Sequence, residues 1–162
     1  FASCSIPLGL QNGVIADTRV SASSHLNSIL TAWPPAQARL NQRGKTNAWR
    51  PRGSDAEQWL QVDLRRLVRI TAIITKGARA IFINMFVTKF AVTTSRDGRH
   101  WSPILYDDHT KIIKANKDAS STMMSCVESP RVARFVRLHP TIHGQHIALR
   151  IEILGCDTQE QY

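Results

Sequence analysis

The sequence predicts an all-β domain, a sandwich or barrel, on three observations. Short segments alternate apolar and polar residues with period two. Turn signals recur at the roughly 8 to 12-residue spacing of such folds. No apolar period of 3.6 residues holds for more than about two turns. The elements follow in order. In "EQWLQVDL", Leu60, Val62 and Leu64 alternate with Gln61 and Asp63, a half-buried strand. "VRITAIITKG" is rich in β-branched residues and stops at Gly77. "FVTKFAVTTS" sets Phe86, Phe90 and Val92 on one parity, and Asp97-Gly98 after it is a hairpin-turn signal. "ARFVRLHP" and "LRIEIL" are two late strands; in the second, Leu149, Ile151 and Ile153 alternate with Arg150 and Glu152.

One stretch resists this reading. "GARAIFINMF", residues 77–86, holds Ala80, Ile81, Phe82 and Ile83 in an unbroken apolar run with Arg79 just before it. A buried strand explains the run but not the arginine. A turn explains the glycine but not the apolar side chains.

The chain has 162 residues, enough for one domain that buries about 70% of its unfolded surface. Its 43% hydrophobic content is that of a globular protein. With 21 basic and 12 acidic residues the net charge is +9, which favours anionic partners: nucleic acid, heparin-like glycans or acidic lipid surfaces. No apolar run reaches the roughly 18 residues of a membrane span. The start "FASCSIPLGL" lacks a basic n-region and a long apolar h-region, which leaves an intracellular protein or a piece of a longer one. Three cysteines occur, Cys4, Cys126 and Cys156. A Cys4–Cys156 bond would enclose nearly the whole domain; three free thiols are the alternative on spacing alone. No CxxC or Cys/His zinc spacing is present.

Catalytic constellations are missing. There is no GxSxG elbow, no paired carboxylate and no phosphate-cradling glycine loop. His139, His143 and His146 in "HPTIHGQH" read as solvated loop histidines rather than a metal cluster, because no fourth ligand is near in sequence. For nucleic acid the basic residues are scattered, without an RNP, KH or basic-helix motif, and 7% aromatic content is low for a stacking platform.

Several motifs then stand in order: "CSIPLGLQNGVIADTRVSASS", "ARLNQRGKTNAWRP", "QWLQVDL", "ITAIITKGA" and "IALRIEILGCD". Together they resemble the discoidin, or coagulation factor V/VIII type C, domain family over residues 4–156, with 157–162 as a short polar tail. The resemblance implies a discoidin-type β-sandwich, a distorted jelly-roll barrel closed by a Cys4–Cys156 bridge, with Cys126 as a free thiol. It implies no enzymatic activity, no cofactor and no metal. The implied partners are phosphatidylserine-bearing membranes, von Willebrand factor and coagulation proteases, the last two through a secreted, plasma-borne clotting cofactor that works on platelet membranes. The family's apolar loop tips map to Ile29 and Leu30 in "HLNSILTAW" and to Ile81 and Phe82 in the run singled out above. Its basic ring maps to Lys45, Arg50, Arg79 and Arg150. An apolar tip beside cations suits a boundary between hydrocarbon and anionic headgroups. Gly77 is expected to let the chain turn there. The sequence departs from the pattern at Gly53, where a third apolar tip falls, at Glu57, where a lysine falls, and at Cys126. Arg52 is placed to compensate. A lectin, or a collagen or extracellular-protein adhesion module on the same loop end, is the other reading; it calls for aromatic and carboxylate tips.

Overall fold

The computed structural model describes residues 4–80, 82–105 and 112–158. Its strands are β1 (Ile6–Pro7), β2 (Val20–Ala22), β3 (Leu60–Lys76), β4 (Ala78–Ala80), β5 (Ile83–Met85), β6 (Val87–Ser95), β7 (Ser102–Pro103), β8 (Ile113–Lys114), β9 (Met123–His143) and β10 (Arg150–Asp157). The only helical turns among the described residues are two 3-10 turns, Asp17–Arg19 and Pro35–Gln37. No helix among them is long and apolar enough to cross a membrane.

"EQWLQVDL" and "VRITAIITKG" are not separate strands. They are the two halves of β3, 17 residues long, and "ARFVRLHP" is likewise the second half of the 21-residue β9. A straight strand of that length would run about 70 Å, against about 40 Å for the width of a domain this size. Both strands therefore bend. The β3–β9 ladder is interrupted between Asp63 and Val68, where Arg65 takes a φ of 67° and residues 65–67 are exposed. Either side of this corner the strands run back towards the same end of the molecule. Asn116 shows it: its backbone N–H donates to Val87 at the start of β6, and its side-chain amide donates to Thr75 near the end of β3.

The sheet order is β1-β10-β3-β9-β6-β7, with β2 added to β3 and β8 to β6. All named pairings are antiparallel. The ends of this order do not meet, so among the described residues the folded-over sheet is the β-sandwich that the resemblance implied, open rather than closed as a barrel. Between its layers lies one core containing Trp49, Leu60, Val62, Ile70, Ile73, Phe90, Val92, Val136, Leu138, Ile151 and Ile153. Gly98, at φ 80°, makes the predicted turn after β6.

Cys4 and Cys156 form a disulfide across 152 residues, and Cys126 is free and exposed on β9. The alternation expected for "LRIEIL" fails at Glu152, which is 1% exposed. Its carboxylate accepts the N–H groups of Leu10, Gln11 and Ile153, so burial leaves it satisfied. The polar tail is anchored at its start: Asp157 ends β10 and pairs with Arg66, and the Thr158 hydroxyl donates to Leu67. Residues 159–162 lie outside the described ones. Of the histidines read as a solvated loop, only His146 is exposed and outside a strand. His139 and His143 belong to β9, and His139 is half-buried against the Thr93 hydroxyl at 2.8 Å. Burial first, and Arg137 second, lower its pKa. No metal-binding group is present among the described residues.

Candidate lipid-facing site

Two short hairpins project from the end where the halves of β3 and β9 converge. In the first, Asn27 bridges Ala32 and Ser28 accepts and donates bonds with Thr31 across the turn. Ile29 and Leu30 are the two residues at its centre. In the second, Ala78, Arg79 and Ala80 pair with Met85, Asn84 and Ile83, with Phe82 in the turn between them. Turn centres ordinarily carry Gly, Asn, Asp or Pro; here they carry large apolar groups. Ile29 is 101% exposed, Leu30 91% and Phe82 99%. Ile81 itself lies outside the described residues. Phe82 adopts a φ of 65°, the left-handed region that suits a two-residue hairpin turn but is uncommon for a bulky side chain.

Beneath the tips a second, smaller core joins the hairpins. It holds Trp33, Ala48, Ala78, Met85 and Ala148, with Leu26, Ala80 and Ile83 packed against it. The apolar run is thus divided: Ala80 and Ile83 face inward to fix the hairpin, and Phe82 faces out. Backbone bonds between Leu26, Trp33 and Arg50 tie the first hairpin to the following segment. Gly77 serves differently from expectation. Its φ is not positive; a Cβ there would collide with the Met85 carbonyl oxygen, so the glycine is needed for close approach.

The predicted cations gather around this platform but are not alike. Lys45, Arg52 and Arg79 are exposed. Arg79 stands on β4 opposite Asn84, and its carbonyl accepts from Asn47, which also bonds Gly44. Arg50 is half-buried over the Trp33 ring, and its Nε has no partner. Arg150 is half-buried too; its Nε donates to Gly77 and its Nη1 to Gln42. Burial lowers the pKa of both guanidinium groups. Gly53 and Glu57 lie in the adjoining segment, and Glu57 is exposed.

The sequence reading missed three charged members of this end. Arg43 and Lys76 were not singled out, yet Lys76 has its pKa lowered by burial first, then by Arg150 and by Arg43. Asp118 is held below the usual carboxylate range, mainly by the N–H groups of Ser121 and Ser120 and the Ser121 hydroxyl, and least by Arg79. Lys76 sits one residue before Gly77, and that adjacency to the apolar run was the available signal.

Residues 19–153 match the family described as F5/8 type C domain. Coagulation factor VIII of Sus scrofa is 49% identical over 160 residues, covering 99% of this chain and 8% of that protein. Coagulation factor V of Pseudonaja textilis is 39% identical over 157 residues, covering 95% and 11%. The chain therefore spans about a tenth or less of the curated relatives it matches. Among solved structures, discoidin II from Dictyostelium discoideum superposes with a TM-score of 0.77 at 23% identity, over 96% of this chain and 59% of that one, a likeness of fold.

Proposed function

Because the chain belongs to the F5/8 type C domain family, a non-catalytic one in these relatives, we propose that it is the membrane-docking module of a longer, secreted clotting cofactor. Its motif-level likeness is to the second C domain of coagulation factor VIII, through "NAWRP", "RFVRLHP" and "GQHIALR". The domain sets Ile29, Leu30, Ile81 and Phe82 into the outer leaflet of a phosphatidylserine-containing membrane, while Lys45, Arg50, Arg52, Arg79 and Arg150 meet the acidic headgroups. Contact with von Willebrand factor and with coagulation proteases belongs to the same reading, through the parent protein.

One observation carries it: Ile29, Leu30 and Phe82 are almost wholly exposed on two turns whose bases are packed together. A folded domain gains nothing in water from such side chains. Full burial of each in hydrocarbon is worth about 1.5–3 kcal/mol, and each cation near an acidic leaflet about 1 kcal/mol. Neither contribution alone anchors the domain stably. The tips hold aliphatic groups and a phenylalanine, without the carboxylates a sugar would bond, which favours lipid over the lectin reading. Flotation with vesicles tests it: binding is expected with phosphatidylserine and not with phosphatidylcholine alone, and it weakens as salt rises. Equal binding to both vesicles, or to neither, sinks the proposal.

A further inference from the structure

A second cationic cluster lies far from the hairpins, in the turn after β6. That strand leaves the Phe82 hairpin at Val87 and reaches Ser95 about 25 Å away. There a cavity of about 300 Å³ is lined by Ser95, Arg96, Asp97, His100, Arg131 and Val132, among others. This is the small end of the range for ligand pockets. Its one carboxylate is already engaged within its own turn. Asp97 Oδ1 accepts from the N–H groups of Arg99 and His100 and from the Ser95 hydroxyl, and Oδ2 lies 2.6 Å from His100 Nδ1. The guanidinium groups have no such partner. Arg131 reaches in from β9, and its Nη2 donates to the Pro103 carbonyl at 3.0 Å, which orients the group without neutralising it. Arg96 and Arg99 are exposed, and Arg69 stands exposed opposite Val132 across the β3–β9 ladder. Among the described residues no carboxylate forms an ion pair with Arg69, Arg96, Arg99 or Arg131.

We propose that Arg96 and Arg131 clamp a sulfate group of a sulfated polysaccharide in this pocket, with Arg69 and Arg99 as further contacts along its chain. A guanidinium already held in one orientation is suited to charge-assisted hydrogen bonds with such an oxyanion. The surroundings choose among the polyanions. A membrane needs an apolar group beside the cations, and residues 95–100 hold none. Single-stranded nucleic acid needs open ring faces for its bases. No Phe, Tyr or Trp lines the cavity, and the adjoining Trp101 has the Arg137 guanidinium 4.1 Å from its ring centroid and Phe135 against its edge. A sulfated sugar chain is held by charge and hydrogen bonds alone, and this surface offers both. The pocket is independent of the membrane reading: a domain docked by its tips carries it away from the leaflet.

The test titrates a heparin hexasaccharide, and the same sugar desulfated, into the domain at physiological ionic strength, followed by amide chemical shifts. Saturable shifts at Arg96, His100 and Arg131 are expected with the sulfated sugar alone. Arg96→Gln is expected to lower that affinity about tenfold, the loss of one hydrogen bond to a charged group, with the melting temperature unchanged because the side chain is exposed. Lys114→Gln makes the same charge change on β8, which pairs with β6 at Lys89, about 20 Å before Ser95. It should alter the affinity by less than about twofold. Equal shifts with the desulfated sugar, parental affinity in Arg96→Gln, or an equal loss in Lys114→Gln overturns the pocket. A single-stranded oligonucleotide that binds the same residues more tightly than the sugar, or a loss of flotation on phosphatidylserine vesicles in Arg96→Gln, overturns the polysaccharide as its occupant.

Discussion

The guanidinium of Arg50 lies over the indole of Trp33, 5.0 Å from the ring centroid. Trp33 belongs to the small core under the hairpins, so Arg50 is structural as well as cationic. Arg50→Ala is expected to lose about 1 kcal/mol of stability through the cation–π contact, or about 2–4 °C of melting temperature in calorimetry. It should also weaken vesicle binding about fivefold, for about 1 kcal/mol of lost attraction to an acidic leaflet. Lys45→Ala removes an exposed charge and should show the second effect without the first.

Phe82 carries a left-handed backbone and an unburied ring. Phe82→Gly therefore separates the two properties of the residue. Stability should hold or rise by up to about 1 kcal/mol as the backbone strain is relieved. Affinity for phosphatidylserine vesicles should fall about tenfold or more, for about 1.4 kcal/mol or more of lost insertion. Ile29→Ala/Leu30→Ala should leave melting nearly unchanged, within about 0.5 kcal/mol, with a similar loss of binding. A large drop in melting temperature for either variant would show that these side chains serve the fold.

At the opposite end, Asp63 accepts bonds from Arg134 Nε and Nη2, Arg19 Nη1 and the Arg65 N–H. The Arg134 hydrogen bond is the first cause of its lowered pKa. A lowered carboxylate pKa stabilises the fold above the unfolded value, about 3.9, and the contribution is lost as pH falls through the folded value. Asp63→Asn should cost about 2 kcal/mol at neutral pH. Denaturant titrations of parent and variant should converge as pH falls below about 4. A gap that stays constant down to pH 2 would remove charge from the account.

The Cys4–Cys156 bridge closes a loop of 152 residues, worth about 5 kcal/mol in the chain-entropy treatment. The reduced protein should melt well below the oxidised one. Alkylation of the folded, unreduced domain should label Cys126 alone, as a peptide map would show, because it is the exposed free thiol.

The strands were legible where one face met water, as with Leu60, Val62 and Leu64. The joining of two such runs into one bent β3 was not, because exposed Arg65, Arg66 and Leu67 read as a connection when the bend keeps them in the strand. Glu152 was misread because alternation assumes that a carboxylate faces solvent, and two of the three N–H groups that satisfy it come from residues 142 and 141 positions away. The tips were legible as an anomaly, apolar residues where turns want polar ones. The division of labour within the apolar run, with Ala80 and Ile83 packed below and Phe82 outside, needed the partner hairpin that the sequence places some fifty residues earlier. Lys76 was invisible for the same reason, since its meeting with Arg150 depends on the register of β10 against β3.

The bend of β3 and β9 has a consequence for the order in which the domain is made. Partners such as Leu60 and Leu138 are far apart in the chain, and β10 joins only after its last residues exist. Such non-local pairing folds slowly, on the millisecond-to-second scale. Synthesis at about 5–20 residues per second delivers Cys126 about thirty residues before Cys156. For that interval Cys126 is the one other cysteine of this domain that Cys4 can meet, and it is the wrong one. A Cys4–Cys126 bond made then holds the N-terminal segment against β9 instead of β10, and the native arrangement returns only by thiol–disulfide exchange once Cys156 arrives. Cys126→Ser is expected to raise the yield of correctly bridged protein and to abolish a slow, redox-dependent phase in its oxidative refolding, while leaving the melting temperature of the native form where it was.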